Sequence, residues 1–167
     1  MEQSMKKTAM TNGLIIGGLL SLKFLLGTIN NGFISIITFS ISVFIIFALY
    51  RLATRYRDNE CEGIINYSRA FSFIFQVYFY GSIVSSLVML IYASYINKEY
   101  LDTMINEVLK VYDSINFPVD DNVSGLMETL YKPAPFALLN LFSGAIVAAF
   151  WGLILAAFIK KDKSIFE

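Results

Sequence analysis

The sequence predicts an all-α fold, a polytopic membrane four-helix bundle with an extracytoplasmic helical hairpin between spans 3 and 4. Three observations predict it: four long apolar stretches, a hydrophobic share of 56% in 167 residues, and a polar segment with helical spacing before the last stretch. Soluble domains are about 45–50% apolar and about 25% charged, whereas charged residues make up 16% of this chain. This composition is expected when lipid solvates much of a protein.

The four apolar stretches have about the length that a membrane-spanning helix needs, roughly 20 residues. They cover about residues 13–29, 33–50, 71–96 and 136–159 of a single membrane domain, 1–167. None shows the strict alternation of a membrane β-strand. The first stretch resembles a cleaved signal peptide less than a span, because Lys23 interrupts it and no small-residue cleavage site follows.

The distribution of lysine and arginine predicts that both termini lie in the cytoplasm. With four spans, nine basic residues fall on one side: Lys6, Lys7, Arg51, Arg55, Arg57, Arg69, Lys160, Lys161 and Lys163. The other side carries Lys98, Lys110 and Lys132. The side that is rich in lysine and arginine stays in the cytoplasm.

The outer segment, about residues 97–135, is too polar to span a membrane, but its pattern is helical. Two apolar stripes recur at helical spacing: Leu101, Met104, Ile105, Val108, Leu109 and Tyr112, then Val123, Leu126, Met127, Leu130 and Tyr131. We expect Asn97 to cap the first helix, Phe117-Pro118 to end it, and Asp120 and Asp121 to cap the second. The hairpin would bury its stripes on each other, on the membrane surface or on a partner.

The charge of this outer segment leaves two interpretations open. It carries seven acidic residues against three lysines, and Lys132-Pro133-Ala134-Pro135 then turns the chain back into the membrane. The segment is either a solvated cap over the bundle or a docking surface for another membrane or periplasmic protein.

Three polar residues within the spans are candidate functional groups: Lys23, Gln76 and Asn140. Charges inside a membrane are costly and often functional. However, Lys23 lies near the outer end of its span and can extend its amine to the interface. Gln76 and Asn140 are expected to bond across helices.

Three arginines beside the second span are candidate contacts for lipid headgroups: Arg51, Arg55 and Arg57. Each would contribute about 1 kcal/mol near an anionic surface. The alternative is that they only set the topology.

Small residues at four-residue spacing predict close helix packing. They are Gly13 and Gly17, Gly81 and Ser85, Ser82 and Ser86, and the ridge Ala148, Gly152 and Ala156. Such seams allow two helix backbones to approach closely.

The residue inventory offers no catalytic or metal-binding constellation and implies no cofactor. The chain has no histidine and one cysteine, Cys61, so an internal disulfide and a thiolate cluster are impossible. Asp58, Glu60 and Glu62 could at most bind a cation weakly. The net charge of zero gives no basic surface for nucleic acid.

The whole chain resembles a family of small bacterial inner-membrane proteins, domain of unknown function 4199. The features that carry the resemblance are the lysine-rich start, Glu62-Gly63-Ile64-Ile65-Asn66-Tyr67 with Ala70-Phe71, and Tyr95-Ile96-Asn97-Lys98-Glu99-Tyr100-Leu101. Family members often have proline after that asparagine, where this chain has Lys98. The resemblance implies a four-helix membrane protein. It implies no activity and carries over no functional residue.

The leading hypothesis is therefore a non-enzymatic accessory, assembly or interaction protein of the bacterial inner membrane. Its partners would be the lipid bilayer and, through the acidic outer segment, another protein. The alternative is a small solute or ion transporter or channel component that uses Lys23, Gln76 and Asn140. A coupled carrier usually needs an acidic residue within the membrane, and the predicted spans contain none.

Overall fold

The computed structural model describes residues 2–29, 31–115 and 120–161, and this part of the chain forms six α-helices. They are α1 Glu2–Gly27, α2 Gly32–Glu60, α3 Tyr67–Ile91, α4 Tyr100–Ser114, α5 Asp121–Leu130 and α6 Pro133–Ile159. A π-helical turn, Tyr92–Ile96, continues α3. The predicted all-α class is confirmed.

Four helices in the described residues are long and apolar enough to cross a membrane, and each overlaps one predicted span. They are Gln3–Gly27, Gly32–Glu60, Tyr67–Ile96 and Pro133–Ile159. The first helix begins before Gly13 and the second continues beyond Tyr50. Their ends differ from the predicted spans because hydropathy marks only the part of a helix that lipid can cover.

The connections follow from local chemistry. Asn31 caps α2, since its side chain accepts a hydrogen bond of 2.9 Å from the backbone N–H of Phe33. Asn30, the residue before it, lies outside the described residues. Gly63 has a φ of 79°, a conformation that glycine adopts without strain, and Glu62 before it also has a positive φ of 54°.

The predicted capping role of Asn97 is wrong. The preceding helix continues as a π-helical turn, and the backbone N–H of Asn97 closes that turn on the Tyr92 carbonyl at 2.9 Å. The Asn97 side chain donates to the Tyr92 hydroxyl at 3.4 Å. The α4 helix begins three residues later, and Glu99 at its N-cap makes no capping bond through its side chain. Asn97 therefore ends one helix and does not begin the next.

Of the two aspartates that were predicted to cap α5, one does so. The Asp120 side chain accepts a hydrogen bond of 2.8 Å from the N–H of Val123, so Asp120 is the cap and Asp121 is the first helical residue. The predicted break at Phe117-Pro118 lies outside the described residues. Pro133 opens α6, a position where the missing N–H of proline costs no intrahelical bond.

The described residues form two compact units. Unit 1 contains the chain up to Ser85 and from Phe142 onward, and unit 2 is Ser86–Leu141. The largest fully buried side chains all belong to unit 1: Phe73, Ile16, Leu49, Ile74, Ile159 and Val77.

Glycine seams hold the helices of unit 1 together, as the spacing predicted. A Cβ on Gly13 would lie 2.6 Å from the Tyr80 Cβ, and one on Gly17 would lie 2.7 Å from the Val84 Cβ. In α6, a Cβ on Gly152 would lie 3.0 Å from the Phe71 ring. These positions have no room for a side chain, so α1 and α6 both approach α3 closely.

Candidate functional site

A polar junction lies at the end of unit 1 where α1 and α3 begin and α2 and α6 end. At its α1 side, the Glu60 carboxylate accepts hydrogen bonds from the Ser4 hydroxyl at 2.9 Å and the Thr8 hydroxyl at 2.7 Å. One carboxylate at the end of α2 therefore holds two successive turns of α1. Charged acceptors make stronger hydrogen bonds than neutral ones.

Arg57 connects α2 to the end of α6. It forms an ion pair with its neighbour Asp58 at 2.8 Å, and it donates to the Ile159 carbonyl at 3.3 Å. The last carbonyls of a helix have no intrahelical partner, and an arginine satisfies one here. The guanidinium is thus engaged by protein groups, although the sequence grouped Arg57 with the candidate lipid contacts.

Two further contacts of the junction were not predicted from the sequence. Arg69 donates to the Tyr56 hydroxyl at 3.2 Å, and the Tyr56 ring stacks on Phe73 with centroids 4.0 Å apart. Ile65 and Lys161 form an isolated antiparallel bridge, with N···O distances of 3.1 and 2.9 Å. The bridge joins the α2–α3 loop to the segment after α6. All four long helices consequently meet through polar contacts at this one end.

The two carboxylates of the junction are engaged in contacts within the protein. Asp58 is paired with Arg57 and Glu60 with two hydroxyls. Within the described ranges, no three acidic, histidine or cysteine side chains are grouped as they would be around a metal ion. Most of the predicted basic set lies on helix segments that lead into this end, and Lys163 is outside the described residues.

Lys23 and Gln76 do not form one site. The seam places Gly13 between Val77 and Tyr80, and Gly17 between Gly81 and Val84, which fixes the axial register of α1 against α3. In this register Gln76 is level with the residues near position 10 of α1. At 1.5 Å per helical residue, Lys23 lies about 20 Å further along. Lys23 is half-buried and, within the described residues, has no hydrogen-bond or ion-pair partner.

Gln76 and Asn140 differ in their hydrogen bonding. In unit 2 the Asn140 amide donates to the Ser86 hydroxyl at 2.9 Å and so joins α6 to α3. In unit 1 the Gln76 side-chain oxygen is buried without a partner among the described residues. An unpaired buried acceptor costs about 1–3 kcal/mol. The hydrogen bond to Ser86 therefore explains the polar side chain of Asn140, whereas no contact among the described residues explains the buried oxygen of Gln76.

Arg51 and Arg55 are exposed on α2, one helical turn apart. The Arg51 guanidinium lies 6.0 Å from the centre of the Phe47 ring. Among the described residues, neither arginine has a carboxylate within ion-pair distance. Of the three arginines that the sequence grouped, these two remain accessible to a ligand.

Unit 2 contains a groove of about 420 Å³ between α4 and α5. Its lining includes Ile105 and Leu109 of α4 and a balanced set of charged residues: Asp102, Glu128, Lys98 and Lys132. Where α4 begins, the rings of Tyr92 and Tyr100 meet edge to face with centroids 5.5 Å apart. Burial, reinforced by Tyr92 and Glu107, raises the pKa of Tyr100.

The two apolar stripes of unit 2 are buried unequally. Leu101 of the first stripe is only 3% exposed. In the second stripe Val123 and Met127 are half-buried, but Leu126 is 62% exposed and Leu130 is 41% exposed. The second stripe is therefore covered only in part, and α5 presents an exposed apolar edge.

Together, the fold and these contacts define a class: an all-helical bundle protein with four helices that can cross a membrane. The family described as "Protein of unknown function (DUF4199)" matches residues 11–161, and the chain belongs to this family. The resemblance seen in the sequence is thereby confirmed. No curated protein and no solved structure matches the chain.

Proposed function

We propose that this chain is a non-catalytic accessory protein of a bacterial inner membrane that holds another protein through its outer helices α4 and α5. The observation that carries the proposal is the apolar edge of α5, where Leu126 is 62% exposed and Leu130 is 41% exposed. Exposed apolar surface that is bordered by polar residues is typical of protein interaction sites.

The orientation in this proposal comes from charge. The basic residues lie on the terminal segments and the α2–α3 loop, so these would face the cytoplasm and helices α4 and α5 would lie in the periplasm. The junction supports this arrangement because it brings the start of α1, the α2–α3 loop and the end of α6 to one end of unit 1.

The partner would carry a basic periplasmic surface around an apolar centre. The outer segment has seven acidic residues against three lysines, and opposite charge across an interface favours encounter and correct docking. Leu126 and Leu130, one helical turn apart on the same face of α5, would enter an apolar pocket of the partner.

Photo-crosslinking in native membranes tests the proposal. A photoreactive residue at Leu126 should give one discrete protein adduct, and Leu130→Glu, which puts a charge on the same apolar edge, should lower its yield. The same residue at Lys110, an exposed position on α4, is the matched control and should give no such adduct. Adducts with lipid alone at Leu126 would show that the apolar edge rests on the membrane surface, and identical protein adducts at both positions would refute a specific site.

A further inference from the structure

A second groove, in unit 1, runs between α1 and α2 on their membrane-facing side. It has a volume of about 500 Å³ and is lined by apolar side chains that include Ile15, Leu22, Phe44 and Phe47. Several of these are more than half exposed, so lipid or another apolar group has to cover them. With 1.5 Å per residue, the stretch from Ile15 to Leu22 makes the groove about 10 Å long, parallel to the helices.

Gly18 lies in this groove, and no other residue packs against the position where its side chain would be. A Cβ on its neighbour Gly17 would collide with Val84, but a Cβ on Gly18 would meet no atom within 4 Å. Glycine inside a helix is less favourable than alanine. The absence of a side chain at Gly18 leaves this part of the groove open.

A single positive charge lies at one end of the apolar groove. Arg51 is the charged lining residue, and it directly follows the predicted span that ends at Tyr50. Its guanidinium is exposed and has no carboxylate partner within the described part of the chain. The groove thus runs from the level expected for phosphate headgroups into the apolar part of the bilayer.

From this arrangement we infer that the α1–α2 groove binds one anionic glycerophospholipid, with an acyl chain along Gly18 and the phosphate on Arg51. The lipid is preferred over other occupants because a positive charge at one end and an apolar groove beyond it match its headgroup and the upper part of an acyl chain, in the right order. This inference needs the chain to lie in a membrane, but it is independent of the partner proposed for unit 2.

Lipid titration followed by native mass spectrometry tests the inference on the purified full chain. The probes are phosphatidylglycerol and phosphatidylcholine with identical acyl chains, and glycerol 3-phosphate as a headgroup without tails. The wild type should retain one phosphatidylglycerol in preference to phosphatidylcholine, and glycerol 3-phosphate should not displace it. Arg51→Gln should weaken phosphatidylglycerol binding about fivefold, the effect of one headgroup contact.

Matched variants separate this site from general attraction to a basic surface. Arg55→Gln removes another exposed charge, one outside the groove, and should leave the affinity unchanged. Gly18→Leu fills the groove and should weaken binding of both lipids. Ile15→Trp narrows the same groove from an exposed position and serves if Gly18→Leu fails to fold. Equal losses in Arg51→Gln and Arg55→Gln, or unchanged binding when the groove is filled, would overturn the inference.

Discussion

Gly17 and Gly81 are in direct backbone contact: a Cβ on Gly17 would lie 3.1 Å from the Gly81 carbonyl oxygen, and one on Gly81 would lie 3.0 Å from the Gly17 nitrogen. The spacing between α1 and α3 thus depends on the absence of two side chains. This contact also fixes the axial register that separates Lys23 from Gln76.

Alanine substitutions of the adjacent residues Gly17 and Gly18 should change the stability of the protein in opposite directions. Gly17→Ala overpacks the seam with Val84 and should lower stability by about 1–3 kcal/mol. Gly18→Ala enters open space and should raise stability by up to about 1 kcal/mol through its better helix propensity. Thermal unfolding in one detergent measures both. Equal effects of the two substitutions would contradict the seam.

Removal of the charge of Lys23 should leave the fold intact. Lys23 is half-buried without a described partner, so Lys23→Leu relieves an insertion cost and should raise the thermal midpoint. Lys23→Arg should also be tolerated, because arginine can reach the interface as well. If both variants fold but abolish a flux or a growth phenotype, Lys23 lines a solute path and the accessory role is wrong.

Leucine substitutions of Gln76 and Asn140 should have different effects on the stability of the protein. Asn140→Leu removes the bond to Ser86 and should cost about 0.6–1.7 kcal/mol, the range of hydrogen bonds between membrane helices. Gln76→Leu removes a buried acceptor that has no described partner and should be neutral or stabilising. Chemical unfolding in mixed micelles can rank the two variants, and the reverse order would show that Gln76 has a ligand or water partner.

The junction predicts unequal roles for two nearby glutamates. Glu60→Gln weakens the bonds to Ser4 and Thr8 and should lower stability by about 1 kcal/mol at most, since the site is exposed. Glu62→Gln is the matched control and should change nothing, because Glu62 makes no described side-chain bond. Hydrogen exchange at the start of α1 should rise in the first variant alone. A similar rise in both would assign the effect to charge and not to these bonds.

Reporter fusions should give opposite sidedness for the two polar parts of the chain. A reporter that is active only in the periplasm should be silent after Glu167 and active within residues 97–135. The reason is the basic set on the terminal segments and the α2–α3 loop. Periplasmic activity after Glu167 would refute the proposed topology and, with it, the proposed periplasmic partner.

The sequence by itself determined the four long helices, the two short amphipathic ones, the turn at Gly63 and the cap at Asp120. Each of these depends on residues that are close in the chain: apolar runs, helical periodicity, and the conformational preferences of glycine and aspartate. Local signals were insufficient at Asn97, where the preceding helix continues through a π-helical turn before α4 begins.

Only the tertiary structure decided which of several equivalent residues contacts a neighbouring helix and which stays accessible. Gly17 and Gly18 are adjacent and identical, yet one faces α3 and the other an open groove. Arg57 is held by α6, whereas Arg51 stays accessible two turns earlier on the same helix. These differences follow from the rotation and axial register of each helix, which are set by contacts with distant segments. The sequence of a helix determines which residues share a face, but the neighbouring helices determine which face is buried.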